Sequence, residues 1–328
     1  MRGLTTAGTR LLMFGGKGGV GKTTCAAATA LALAEQMPDR RVLLLSADPA
    51  HSLGDVFERP VSDIASTLEG GPVNLVVREI DSARGFRQTR ERYASAIDAL
   101  FDRLSRGSSG SVGLDARHDR QVMHSLIDLA PPGIDELAAV IEVTGALDEP
   151  PGKGPDLVVM DTAPSGHALR LLEMPVLARA WARALMSILL KYRPVAGVGE
   201  LGTVLLHLSQ GLGRLRTLVE DPRRTSFVVV TRAAVLPREE TARLLKSLRR
   251  MNVHVPAVIV NVVGRGTCAR CRKASAAEAR QLAGLRRSIA RVRQSRPQVL
   301  VAPAMLPPPQ GPDGLREWRQ TWRTGAES

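Results

Sequence analysis

Short, largely apolar runs alternate along this chain with longer stretches whose apolar residues recur every three or four positions. The runs fall at Leu11–Phe14, Val42–Leu45, Val73–Val77, Leu157–Met160, Phe227–Val230, Val258–Val260 and Val299–Val301. Largely apolar runs of this length mark strands covered on both faces. The first run leads through a glycine cluster into Thr23–Ala34, rich in alanine and leucine, which predicts a helix. The alternation predicts an α/β fold, a mostly parallel twisted sheet flanked by helices. No internal repeat is visible, so one such unit is expected.

Two segments, 83–130 and 167–220, are helical in composition and lack a strand-like run. They predict an inserted helical subdomain, with 1–82, 131–166 and 221–328 forming the core. GSSGSVG at Gly107–Gly113 breaks the first segment as a flexible loop. In the second, Leu177, Trp181, Leu185 and Ile188 keep helical spacing, with Arg179 and Arg183 between them. Such a stripe either packs on a core or meets an apolar partner. Leu306–Gly314, LPPPQGPDG, is expected to be extended or turned, because consecutive prolines cannot continue a helix.

Length and composition then narrow the class. A chain of 328 residues can bury a real core without disulfides or metals. No stretch approaches eighteen uninterrupted apolar residues, which excludes an ordinary membrane-spanning helix. The start, MRGLTTAGTRLLMFGG, does not resemble a signal peptide, so a cytoplasmic location is expected. Forty-five basic against 32 acidic residues give +13, which suits nucleic acid, an anionic membrane or an acidic partner, or simply solvated arginine-rich faces. Aromatic residues make up only 3%, leaving little for base stacking, so nucleic acid is disfavoured.

Gly16-Lys17-Gly18-Gly19-Val20-Gly21-Lys22-Thr23, followed by Thr24, fits G-x-x-x-x-G-K-[ST] between a predicted strand and a predicted helix. Glycines let backbone N–H groups wrap a phosphate, and the helix points its positive end at the same anion. Lys22 is expected on the β and γ phosphates of ATP and the Thr23 hydroxyl on Mg²⁺. Asp161, emerging from the end of an apolar strand, is expected to hold the same Mg²⁺ through water.

Lys17 is a second lysine where Lys22 already serves the phosphates. GKGGVGKTT resembles the deviant P-loop of a group of dimeric ATPases and reductases. Three further blocks are Ala47-Asp48-Pro49-Ala50-His51-Ser52-Leu53-Gly54-Asp55, Pro132-Gly133-Ile134-Asp135-Glu136 and Asp161-Thr162-Ala163-Pro164-Ser165-Gly166-His167. In this order and spacing the four blocks resemble the arsenite-pump and tail-anchored-protein-targeting ATPases, a P-loop NTPase family, from the P-loop to at least Cys271. The resemblance implies that Lys17 crosses to a partner's nucleotide in the manner of an arginine finger, so that function requires a homodimer. It also implies that Asp48 orients the attacking water and that Asn261, after AVIV, reads the adenine. Asp55 is read as a helix-start or switch-loop residue, and His51 and His167 as loop residues near the γ-phosphate without a proton-transfer role. The chain departs from the family at Val262, where a glutamine usually stands, and at Ala234, where the family carries an acid facing the nucleotide.

Of the three cysteines, Cys25 falls in the apolar helix and reads as core. Cys268 and Cys271 form CARC, which by itself fits half of a zinc site, a redox pair or chance. Its position resembles the zinc pair of the targeting branch, implying a structural Zn²⁺ shared between two subunits.

Three functions share this machinery. As a targeting ATPase, the helical segments of two subunits would hold a client's transmembrane helix, with Met123, Met174, Met186, Leu177, Trp181, Leu185, Ile188, Leu189 and Leu190 as lining, and deliver it to an integral membrane receptor. As the energising subunit of an arsenite efflux pump, the chain would need soft ligands, yet no cysteine lies between Cys25 and Cys268, and it holds one unit where the pump commonly has two. As a partition-type ATPase it would contact DNA or a membrane surface, for which the helix around Glu278–Arg293 carries Leu282, Leu285, Ile289 and Val292 on one face and arginines elsewhere.

Overall fold

The computed structural model describes residues 3–47, 52–80, 112–128, 153–162, 199–264, 266–290 and 296–324, with scattered positions between 94 and 102, 141 and 147, and 178 and 191. The chain divides into two compact units. The first comprises residues 1–80, 146–170 and 218–328, and the second 81–145 and 171–217. These bounds differ from the sequence-based ones chiefly in residues 131–145.

The first unit holds the sheet. Its elements run β1 (Leu11–Gly15), α1 (Lys22–Gln36), β2 (Val42–Ser46), α2 (Ser52–Phe57), β3 (Ser66–Thr67), β4 (Leu75–Glu79), β5 (Leu157–Asp161) and β6 (Thr225–Arg232). The second unit contributes α3 (Val112–Asp128) and most of α4 (Gly199–Glu220), which precedes β6. After β6 come α5 (Val235–Arg250), β7 (Ala257–Val263), α6 (Ala269–Ala290), β8 (Gln298–Pro303), α7 (Gly311–Gln320) and β9 (Arg323–Thr324). The strand order is β3-β4-β2-β5-β1-β6-β7-β8-β9, parallel except for the two edges.

The runs read as two-sided strands are just that: every residue of β1, β2 and β5 is buried. On α1, Ala26, Ala27, Ala30 and Ala34 are buried and small, which lets the helix lie close to the sheet. α7 packs across α1, and its Trp318 donates from Nε1 to the Pro303 carbonyl at 2.9 Å.

Three expectations need correction. The run at Val73–Val77 becomes a strand only from Leu75, while Val73 is 93% exposed. Inward and outward residues alternate here, so Arg78 and Glu79 prolong the strand that their polarity hid. Gly311–Gly314 is helical, with Gln310 at the N-cap and a proline in the first turn, where its missing N–H costs nothing. Met123, Trp181 and Leu185 are buried among the described residues, so they serve a core and do not line an open groove. Sequence reading also missed β3 and β9, two residues each and without an apolar signature.

Candidate phosphate-binding site

β1 sits between β5 and β6. The chain leaves β1 toward β2 on one side, while β6 to β8 extend on the other, so the carboxyl ends around β1 form a topological switch point. The loop Gly16–Gly21 occupies that point.

Two glycines are required by close approach. A Cβ at Gly16 would lie 2.1 Å from the Val230 carbonyl oxygen. Gly21 has φ 87°, and a Cβ there would lie 2.3 Å from Asn261 Nδ2. We expect Gly16→Ala to push the loop off β6 at a cost of about 2–3 kcal/mol. A fall in Tm of roughly 5 °C together with lost nucleotide binding is the expected result; an unchanged melt and normal binding would contradict this fit.

α1 begins directly after the loop with no side-chain cap and no acid in its first turn, leaving its N–H groups and positive end to an anion. Lys22, at its first position, is only 4% exposed. Thr23 Oγ1 donates to Asp161 Oδ2 at 2.6 Å and lies 2.8 Å from Ser52 Oγ. Asp161 ends β5 opposite Phe14 of β1 and Ser46 of β2, which fixes its carboxylate beside the loop. A buried carboxylate with two hydroxyl groups is a hard-oxygen donor set, and it fits Mg²⁺.

A cleft of about 360 Å³ opens over these groups, lined by Gly19, Gly21, Lys22, Thr23, Thr24, Ser52, Asp55, Val56 and the segment Pro308–Gln310. Ser52 and the prolines were missed as site residues. Ser52 stood unmarked within the Asp48–Asp55 block, and the proline segment lies nearly 290 positions from the loop, beyond the reach of local pattern.

Asn261 is 5% exposed and turned toward the loop. Its Nδ2 donates to the Val20 carbonyl at 2.8 Å, and its Oδ1 accepts from Val262 N–H at 2.7 Å. Both polar ends of the amide thus brace backbone. Val262 sits at φ 57°, a strained setting for a β-branched residue, beside a register shift in β7.

Lys17 lies on the outer rim, its side chain 34% exposed, with Nζ 3.2 Å from Glu240 Oε1 of α5. Glu240 Oε2 is buried and has no hydrogen-bond partner among the described residues. No local pattern marks Glu240 as a site residue. Ala234 is the N-cap of α5 and offers no side-chain cap.

Asp48, His51, Pro132–Glu136 and His167 lie outside the described residues. Asp48 directly follows Ala47, whose N–H bonds the Asp161 carbonyl at 3.0 Å. Cys268 and Cys271 lie at the start of α6 with sulfurs 3.1 Å apart. Their S–H···S contact, and then the Cys271 N–H, hold the Cys268 thiol below its ordinary pKa, while the same contact raises Cys271. Among the described residues no third histidine, cysteine, aspartate or glutamate joins them. Burial, reinforced by Asp161, pushes the Cys25 thiol far up, as suits an inert core residue.

A glycine loop between a central parallel strand and an uncapped helix, with lysine, threonine and a strand-end aspartate converging on it, defines a P-loop nucleoside triphosphatase. The sequence profile of the family described as Anion-transporting ATPase matches residues 9–287. The chain belongs to that family, and it is an ATPase. It is 29% identical over 295 residues to "ATPase ASNA1 homolog" of Entamoeba histolytica, covering 85% of this chain and 84% of that protein. It is 33% identical to "ATPase GET3B" of Arabidopsis thaliana, over 76% of this chain and 63% of that one. With "ATPase GET3" of Komagataella phaffii the identity is 29%, over 81% and 76% respectively. Among the described residues no helix is long and apolar enough to cross a membrane.

Proposed function

We propose that this ATPase is a Mg²⁺-dependent homodimeric switch that binds hydrophobic membrane-protein segments and delivers them to a membrane receptor. The observation that carries the reading is the separation of the two loop lysines. Lys22 is buried at the head of α1, whereas Lys17 stands on the rim within reach of Glu240. A cation outside the cradle adds little to phosphates already served by Lys22, but it is free to cross to a facing copy's nucleotide. The likeness to the tail-anchored-protein-targeting ATPases supports the client and the receptor, and a cytoplasmic site of action accompanies them.

Gly16–Lys22 and Thr24 would surround the triphosphate, and Thr23 and Asp161 would hold Mg²⁺. Bound there, the ion would screen the charge of the β and γ phosphates. Asp48, next after Ala47, would orient the attacking water. Asn261 would keep the loop shaped through Val20 and hold the adenine side with its remaining hydrogen-bonding capacity. In the helical unit Leu190 and Leu206 are exposed and Met186 is half-buried, which leaves them available to a client while Met123, Trp181 and Leu185 fill the interior.

Asp48→Asn tests the assignment. The variant is expected to retain ATP and a captured transmembrane helix while turnover falls about a hundredfold or more. Hydrolysis at the wild-type rate would remove Asp48 from the chemistry. Stimulation by arsenite with no co-purified helix would replace delivery by efflux.

Cys268 and Cys271 supply two thiolates, and a two-fold pair of chains would complete a tetrahedral Cys₄ zinc site. Native mass spectrometry is expected to find two chains with one Zn²⁺, and Cys268→Ser to lose the metal and weaken the dimer. A metal-free monomer with full activity would defeat both points.

A further inference from the structure

Helices α5 and α6 contain eleven basic and three acidic residues, so they supply +8 of the chain's +13. The two helices follow successive parallel strands and pack against each other on one face of the sheet.

The charge is sorted within each helix. On α5, Thr241, Leu244, Leu245 and Leu248 are buried, and Arg243, Lys246 and Arg250 lie on the opposite face, all exposed. On α6, Leu285 and Ile289 are buried, while Lys273, Arg280 and Arg287 recur at seven-residue intervals on the far side, also exposed. Among the described residues none of these six is paired with an acid. Alanines separate the bases of the α6 stripe, at Ala276 and Ala283, so no bulky side chain holds an approaching surface away. The α6 stripe runs about 21 Å from Lys273 to Arg287.

We propose that this two-helix face is an electrostatic docking surface for an anionic bilayer. Parallel rows of bases on a layer of adjacent helices present a broad array, which matches a plane of lipid phosphates. Single-stranded nucleic acid calls for aromatic rings on which bases stack, and neither helix carries one; a duplex, which arginine and lysine can also contact, is separated from the bilayer by the test below. Each base held near an anionic leaflet adds attraction that falls off within a Debye length, so contact is reversible and salt-sensitive. The inference deepens the delivery reading by assigning the face that meets the membrane.

The test is vesicle flotation of the full chain with phosphatidylcholine alone and with phosphatidylcholine containing 30% phosphatidylglycerol. Binding is expected only to the second, and about 0.5 M salt should reverse it. Arg243→Gln/Lys246→Gln/Arg250→Gln and Lys273→Gln/Arg280→Gln/Arg287→Gln are each expected to lower binding about tenfold or more, with ATP turnover retained. Arg214→Gln/Arg223→Gln/Arg323→Gln removes the same formal charge elsewhere and is expected to bind as wild type. Equal loss in all three variants would reduce the effect to net charge and overturn the assignment. Loss of duplex DNA binding without loss of vesicle binding would assign the face to nucleic acid instead. Flotation without client capture would sink the delivery reading alone, whereas client capture without flotation would sink the docking surface alone.

Discussion

Replacing Lys22 by alanine is expected to abolish measurable ATP turnover and to weaken nucleotide binding by roughly 10²–10³-fold. Lys22 is 4% exposed, at the first position of an uncapped α1. Its ammonium group is the buried cation of the cradle, and a phosphate left there without it would be desolvated and uncompensated. Removing one partner of such a buried, charge-assisted contact costs about 3–5 kcal/mol. Lys22→Arg should fail nearly as badly, since a planar fork does not fit where a compact point charge sits. Titration with a fluorescent ATP analogue, beside circular dichroism to establish folding, measures the effect. A folded Lys22→Ala protein that bound ATP within threefold of wild type would show the loop to be a structural turn.

Lys17→Ala is expected to lower turnover about 10³-fold, the scale of a lost arginine finger, while nucleotide affinity and Tm hardly move. The ion pair with Glu240 is partly exposed on both sides and is worth no more than about 1 kcal/mol, so stability gives no alternative explanation for the loss. Mixing decides whether Lys17 works across subunits. A dimer of one Lys17→Ala chain and one Lys22→Ala chain contains one site with both lysines if Lys17 crosses over, and none if it acts on its own chain's nucleotide. After equimolar mixing and re-pairing, about half of the dimers are mixed and each has one complete site, so recovery of up to about a quarter of the wild-type rate is expected from two inactive proteins; no recovery would return Lys17 to its own chain. Glu240→Gln releases Lys17 and is expected to raise turnover up to about fivefold, the equivalent of that 1 kcal/mol.

Local patterns reveal the central strands and the phosphate loop because their causes are local. Two-sided burial requires unbroken apolar residues at Leu11–Phe14 and Leu157–Met160, and close approach requires Gly16. What escaped was set by tertiary contact. Ser52 becomes part of the site only because α2 brings its hydroxyl to Thr23. Glu240 meets Lys17 across 223 positions, and the brace from Asn261 to the Val20 carbonyl spans 241. The strand extends to Glu79 beyond the apolar run because Arg78 faces outward in alternation while Glu79 is buried and accepts from Leu53 N–H, a partner set by tertiary contact. Trp181 and Leu185 illustrate the opposite ambiguity, since a helical stripe has the same spacing whether it meets its own interior or a partner.

The two-residue antiparallel strands at either margin bear on how copies of this chain can meet. β3 and β9 terminate the sheet with ladders too brief to template another strand, and both run against the direction of their neighbours. Lateral zippering into a continuous ribbon is thereby discouraged. A facing copy of the kind proposed above would then meet this chain at the tips of the strands, so that nucleotide chemistry and contact with a twin would occupy the same rim.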